Sequence, residues 1–170
     1  MNQSTYECLI VGVDGSAASL AALRWSAAQA RLLRTHVVAV HAWLPTGARR
    51  APYAPAAELP TPEQDRRRAA ERLHGMVSRL LELDPEAQVR TLLDQGSPVP
   101  VLLRHARHAL LLALGRGPRV DITLPALGSV ARDCVRCAKC PVVTVPESPS
   151  ELTACPVPLG EDSAVRLEQA

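Results

Sequence analysis

The apolar run Cys8-Leu9-Ile10-Val11-Gly12-Val13 is nearly continuous, as expected for a strand buried on both faces of a parallel sheet. It stops at Asp14-Gly15-Ser16. A helix is predicted from there to about Leu33, with Leu20, Leu23, Ala27 and Ala30 on one stripe and Arg24, Arg31 and Arg34 off it. His36 to Ala42 predicts a second strand. A second helix runs to about Leu83, with Ala69, Leu73, Met76, Val77 and Leu80 at helical spacing and the basic cluster Arg66-Arg67-Arg68 ahead of it. Ala87 to Leu93 predicts a third strand. Gly96-Ser97-Pro98 then opens a helix with proline in its first turn, where the missing N–H costs nothing, and Val99, Leu102, Leu103 and Ala106 form its buried stripe. Leu110 to Leu114 predicts the fourth strand, Gly128-Ser129 opens the last helix, and Pro141 to Val145 supplies the fifth strand.

Strands alternating with helices predict an α/β protein: a three-layer, doubly wound, five-stranded parallel sheet of Rossmann-like type with right-handed crossovers. Ligands of such sheets bind beyond the carboxyl ends of the strands, where strand order reverses. If the first and fourth strands are central neighbours, Asp14 and Gly115 lie on two lips of one crevice, faced by the helix start at Gly128-Ser129. Between Leu44 and Pro62 the chain carries Pro45, Pro52, Pro55, Pro60 and Pro62, too many for a helix or central strand. A surface loop is expected there. The expected domain covers residues 5–146, and the prolines and charges of 147–170 predict a flexible tail.

The length of 170 residues suits one domain with a real core. That core must come from Leu, Val and Ala, because phenylalanine is absent. A net charge of +2 with interspersed signs provides no long basic face for nucleic acid. The aliphatic run Ala109 to Leu114 is far shorter than the roughly 20 residues that span a bilayer. The N-terminus has neither a basic region nor an apolar stretch before a cleavage site, so a cytoplasmic location is expected. Five cysteines form an odd set without a disulfide framework. The spacing Cys134-x-x-Cys137-x-x-Cys140 suggests an iron–sulfur run, but Cys134 and Cys137 follow Val130 on the apolar face of the last helix. Further, the fourth cysteine before proline is missing. Buried structural thiols are expected instead, with no metal site.

The candidate chemistry lies in Gly115-Arg116-Gly117-Pro118, followed nine residues later by Gly128-Ser129. Glycines let the backbone approach an anion closely, and the N–H groups and positive dipole end of the following helix attract it. The same glycines serve equally well to permit a turn and cap a helix. Asp14 before Gly15-Ser16 reads as a helix-capping residue, and His41 as a hydrogen-bonded core histidine. A dinucleotide-binding Gly-x-Gly-x-x-Gly after the first strand, a Gly-x-x-x-x-Gly-Lys-Ser/Thr loop and a Gly-x-Ser-x-Gly elbow are all missing.

Val11-Gly12-Val13-Asp14-Gly15-Ser16, the Gly96-Ser97-Pro98 turn, the spaced glycines and Cys140-Pro141-Val142-Val143-Thr144-Val145-Pro146 together resemble the universal stress protein family over roughly residues 5 to 146. The resemblance implies a Rossmann-like, adenine nucleotide alpha hydrolase-like fold and a stress-associated role. In nucleotide-binding members, Gly, two residues, Gly, nine residues, Gly and Ser or Thr cradle the ribose and phosphates of ATP. Gly115, Gly128 and Ser129 match that pattern. Asp14 matches the aspartate near the adenine and ribose, Ala42 the residue lining the adenine pocket, and Val130 the residue after the Gly-Ser pair. Leu114 stands just before the first glycine, and Gly117 lies inside the loop.

Two departures from the family pattern stand out. Pro118 replaces the second glycine and lacks an N–H, a loss of one charge-assisted hydrogen bond that lowers affinity by about one to two decades. Leu110 replaces an aspartate before the fourth strand, a change assigned to the turn there. The resemblance further implies a homodimer paired through the edge strand Val142 to Val145, covering an otherwise open ladder. Three readings follow: an ATP-binding regulatory dimer whose Mg²⁺ comes only with the nucleotide; a dimerising module with an empty crevice and a protein partner; and an ATP hydrolase. The last lacks paired carboxylates or a positioned base around the glycines.

Overall fold

A computed structural model describes residues 8–49, 59–117 and 127–147. Pro118, the loop residues 50–58, Cys155 and the expected tail from residue 148 lie outside the described residues. The elements are β1 (Cys8–Gly12), α1 (Ala17–Leu32), β2 (His36–Trp43), a short 3₁₀ turn (Thr46–Arg49), α2 (Pro62–Leu83), β3 (Val89–Gln95), α3 (Pro98–Ala106), β4 (Leu111–Arg116), α4 (Ser129–Cys137) and β5 (Val142–Pro146). All four strand pairings are parallel, in the order β3-β2-β1-β4-β5. The chain winds outward from β1 to β3 and returns to β4 on the other side, so strand order reverses between β1 and β4.

Strand periodicity explains the two layers of core. Leu9 and Val11 point to one face and pack with Ala22, Leu23 and Ala27 of α1 and Leu73, Met76 and Leu80 of α2. Cys8 and Ile10 point to the other and meet Val101, Leu102 and Ala106 of α3 and Ala131 and Cys134 of α4. With both faces covered, β1 has no solvent side, which accounts for its unbroken apolar sequence.

The small face of α1 lets it come close to the sheet. At Gly115 in β4, an added Cβ would lie 2.4 Å from the Ala18 carbonyl carbon, 2.5 Å from its oxygen and 2.6 Å from the Ser19 nitrogen. Backbone packs on backbone there, and no other residue type fits without moving the helix.

Several boundaries differ from the sequence reading. α2 begins at Pro62, so Arg66, Arg67 and Arg68 form an exposed part of the helix and do not precede it. The cause is a capping box: Thr61 Oγ1 accepts from the Gln64 N–H at 3.2 Å, and Gln64 Oε1 accepts from the Thr61 N–H at 2.8 Å. β3 starts two residues late, because Asp84 accepts from the Ala87 N–H at 3.1 Å and closes a turn first. β4 continues through Arg116, placing Gly115 inside the strand. Ser16, and not Asp14, is the N-cap of α1: its hydroxyl accepts from the Ser19 N–H at 3.1 Å. Leu110 lies in the turn into β4, where its N–H donates to the Cys8 carbonyl at 3.0 Å.

Cys8 and Cys134 are buried, but Cys137 is exposed, contrary to its expected place on the apolar face. It is the last residue of α4, one turn beyond the buried Cys134. Burial pushes the Cys134 thiol up to about 11, with the charges of Asp133, Cys137 and Cys140 adding to the effect. Such a thiol is unreactive at neutral pH. No group of His, Cys, Asp and Glu that could hold a metal ion occurs among the described residues. No described helix is long and apolar enough to cross a membrane.

The edge strand β3 is clasped to α3 by Asp94, whose Oδ2 accepts from Arg104 and from His105 Nε2, the latter at 2.6 Å. The His105 hydrogen bond, followed by that of Arg104, holds the Asp94 carboxyl below its ordinary value near 3.8. A depressed carboxyl stabilises the fold fully above its unfolded pKa and loses that contribution as pH falls through the folded one. Asp94→Asn is therefore expected to cost about 0.5–1 kcal/mol at pH 6, a partly exposed and screened interaction. Urea unfolding should show the difference shrink and vanish as pH falls through the depressed folded-state pKa of Asp94. Gly115→Ala is expected to cost about 2–3 kcal/mol by overpacking, read as a melting temperature lowered by several degrees.

Candidate functional site

The reversal of strand order opens a crevice of about 280 Å³ over the carboxyl ends of β1, β2 and β4. Its lips are the β1–α1 turn, with Asp14, Ser16 and Ser19, and the end of β4, with Leu114, Gly115 and Gly117. Ala42 closes the β2 side, and Gly128, Ser129 and Val130 bring the start of α4 to the opening. All eight residues singled out in the sequence thus line one cavity. The sequence reading missed the apolar wall formed by Pro98 and Leu102 of α3. The signal for it was present, since Leu102 lies on the helix stripe and the Gly96-Ser97-Pro98 turn fixes where α3 begins.

Glycine is needed at the floor for space. An added Cβ at Gly12 would lie 2.7 Å from Leu114 Cδ2 and 3.3 Å from Leu102 Cδ1. Gly117 and Gly128 differ in kind. Neither has a φ in the left-handed region, and an added Cβ at either would meet no atom within 4 Å. Nothing in the described protein requires glycine at these two positions; what their missing side chains leave is open space on the crevice rim.

The two lips are polarised. Asp14 Oδ1 accepts from the Ser16 N–H at 2.9 Å and from the Ser16 hydroxyl at 2.6 Å, while the Asp14 N–H donates to Ser19 Oγ at 3.4 Å. Partial burial works to raise the Asp14 pKa, but these contacts outweigh it, the Ser16 hydroxyl foremost, and hold the carboxyl below the usual range. Asp14 is accordingly an anion at neutral pH. Across the opening, the N-cap of α4 is Gly128, which offers no side-chain acceptor to the first turn. Among the described residues no side chain caps the leading N–H groups of this helix, which face the crevice with the positive end of the helix dipole behind them.

His41 is buried directly beneath, and its Nδ1 lies 2.6 Å from the Val13 carbonyl. This bond ties β2 to the residue preceding Asp14 and gives His41 the expected structural role. Arg72 of α2 reaches the β1–α1 turn from outside the crevice lining. Its aliphatic stem lies against Gly15, between two residues of the crevice lip.

Comparison with known proteins fits this geometry. The model of the Universal stress protein family matches residues 5–146. A universal stress protein of Mycolicibacterium smegmatis is 31% identical over 137 residues, covering 81% of this chain and 45% of the relative. One from Mycobacterium tuberculosis is 28% identical over 144 residues, covering 81% and 47%. The chain spans about half the length of these curated relatives. Among solved structures, the universal stress protein from Archaeoglobus fulgidus in complex with dAMP is 28% identical, with a TM-score of 0.61 over 84% of this chain and 99% of that one. A family protein from Burkholderia pseudomallei, 21% identical with a TM-score of 0.60 over 84% and 98%, shares the fold. On the family model, which covers most of its length and both lips of the crevice, the chain belongs to the universal stress protein family.

Proposed function

We propose that the crevice binds an adenine nucleotide, ATP in the cell, as a regulatory ligand without efficient turnover, in a stress-associated role. The observation that carries the reading is the pair Gly117 and Gly128. Both are glycine where nothing among the described residues requires it, and both line the crevice onto which the start of α4 opens. A phosphate chain laid along that rim would accept from the free N–H groups and fill the space the glycines leave. The base and ribose would enter the apolar slot between Ala42, Leu102 and Pro98. Asp14 would accept hydrogen bonds from the nucleoside and, being anionic, direct the phosphates away from itself toward Ser129. The volume lies at the small end for ligand pockets, which run from ~300 Å³ upward, and suits one nucleoside. The dAMP bound by the Archaeoglobus fulgidus relative supports the same class of ligand.

Among the described residues of the lining no second carboxylate accompanies Asp14, and His41 is occupied with Val13. That favours a ligand role over hydrolysis. Pro118 lies outside the described residues, and its effect is tested directly by Pro118→Gly.

Calorimetric titration with ATP is expected to show one saturable site, and absence of heat and thermal shift at millimolar ATP overturns the reading. Pro118→Gly should tighten ATP binding by about ten- to hundredfold. Gly128→Ser separates ligand from fold, because serine is a good N-cap that would itself engage the first-turn N–H groups. Stability should hold or rise while ATP affinity falls at least tenfold. A second proposal rests on β5, a sheet edge whose Val143 and Val145 are half-exposed beside a groove with Trp25: two copies pair along this strand. Light scattering at micromolar concentration should give twice the 18.2 kDa chain mass; a monomer overturns it.

A further inference from the structure

Beside the edge strand β5 lies a second recess, a groove of about 810 Å³ on the α1 and α2 face of the sheet. Its walls are apolar where Trp25 of α1, Leu83 of α2, and Val143 and Val145 of β5 meet. Leu83 is 60% exposed, and the other three are half-buried, Trp25 and Val145 packing on the core of that face. Side chains two apart on a strand share a face, so Val143 and Val145 both turn into the groove. The N–H and C=O groups that would pair a second copy lie instead along the strand edge, a separate surface.

The chain itself leads out of this groove. β5 ends at Pro146, and Glu147, whose N–H donates to the Arg116 carbonyl at 3.1 Å, is one of the lining residues. Next in sequence come Ser148-Pro149-Ser150, turn formers that favour reversal of the chain. Leu152, Val157 and Leu159 follow, with Pro156 and Pro158 among them. Two prolines two apart lack N–H groups on the same side of an extended chain, so this stretch suits side-chain docking better than a central strand. Their preset φ lowers the entropic cost of binding. Along β5 the groove runs beside residues 143–147, about 13 Å, a length covered by about five extended residues. Charge favours the same occupant: residues 148–170 hold four acidic residues against Arg166, a net charge of −3, which leaves +5 on residues 1–147. Of the charged residues in the lining, Arg31 and Asp84 pair at 2.6 Å. Glu147 stands at the exit, and Arg24 forms no hydrogen bond or ion pair among the described residues.

We infer that this groove is the docking site of the chain's own C-terminal segment, residues 152–159. After a turn at Ser148-Pro149-Ser150 the segment runs back along β5, seats Leu152, Val157 and Leu159 over Trp25 and Leu83, and brings Glu151 to Arg24. The short tether from Glu147 makes the contact intramolecular, so a contact too weak to hold a free peptide suffices. Docking here requires neither a nucleotide in the crevice nor a second copy at the β5 edge.

The test uses the full chain carrying Trp43→Phe, which leaves Trp25 as its only tryptophan. Adding Val157→Asp and Leu159→Asp should raise acrylamide quenching of Trp25 at least about twofold and shift its emission to the red, by undocking the segment. Both positions lie outside the described residues, and the circular dichroism of the fold should not change. From the groove side, Leu83→Asp at an already exposed position should speed cleavage after Glu151 and Glu161 by a glutamyl endopeptidase at least about fivefold. Protection of Trp25 should be the same at about 1 and 100 µM, as an intramolecular contact requires. Protection that fades on dilution assigns the groove to a second copy and overturns the inference. Equal quenching with and without the two aspartates overturns it as well, and so does cleavage that Leu83→Asp leaves unchanged.

Discussion

The contact on which the site depends is that between Gly115 and the backbone of Ala18 and Ser19. A strand residue meeting the carbonyl and amide of a helix leaves no room for any side chain, so the end of β4 and the start of α1 are fixed relative to each other within a fraction of an ångström. The two lips of the crevice are these same two segments. Ser19, buried at 2% exposure, is set by this contact where its hydroxyl can accept from the Asp14 N–H and donate to the Ser16 carbonyl. The geometry of the anionic lip follows from a packing contact made one turn into the helix.

This arrangement makes the crevice polar along its length. One end carries a carboxylate stabilised by the Ser16 hydroxyl and N–H; the other carries the uncapped start of α4. A ligand with a hydrogen-bonding head and an anionic tail has one favourable direction of entry. The walls between, Ala42, Leu102 and Pro98, are apolar and set no direction of their own. Binding orientation is therefore electrostatic, and fit to the slot is steric.

The fold was largely legible in the sequence because β1 is buried on both faces and α1 and α2 carry clean apolar stripes. Period and burial coincide there. Legibility failed where local hydrogen bonding decided the outcome: the Thr61–Gln64 capping box moved the start of α2 into a proline-rich stretch, and Ser16 took the cap that Asp14 could equally have supplied. Cys137 looked inward by spacing alone but stands exposed at the last residue of α4. At the site, the residues that follow strand ends were readable, since topology places them. Pro98 and Leu102 belong to α3, whose start and buried stripe were readable, but their place on the crevice wall follows from how that helix packs.

The glycine pattern itself divides once the packing is known. Gly115 answers to the fold, because a Cβ there would collide with the helix backbone; Gly117 and Gly128 answer to nothing in the described protein. One motif thus contains a position that sets stability and two that set what the rim can receive. Because Gly115 lies within β4 while Gly117 follows its end and Gly128 precedes α4, affinity and stability are physically separable in this domain. A change at the rim acts on N–H groups and open space without disturbing either core layer. A change at Gly115 shifts α1 first, and through Ser19 and Ser16 it then reaches the carboxylate of Asp14.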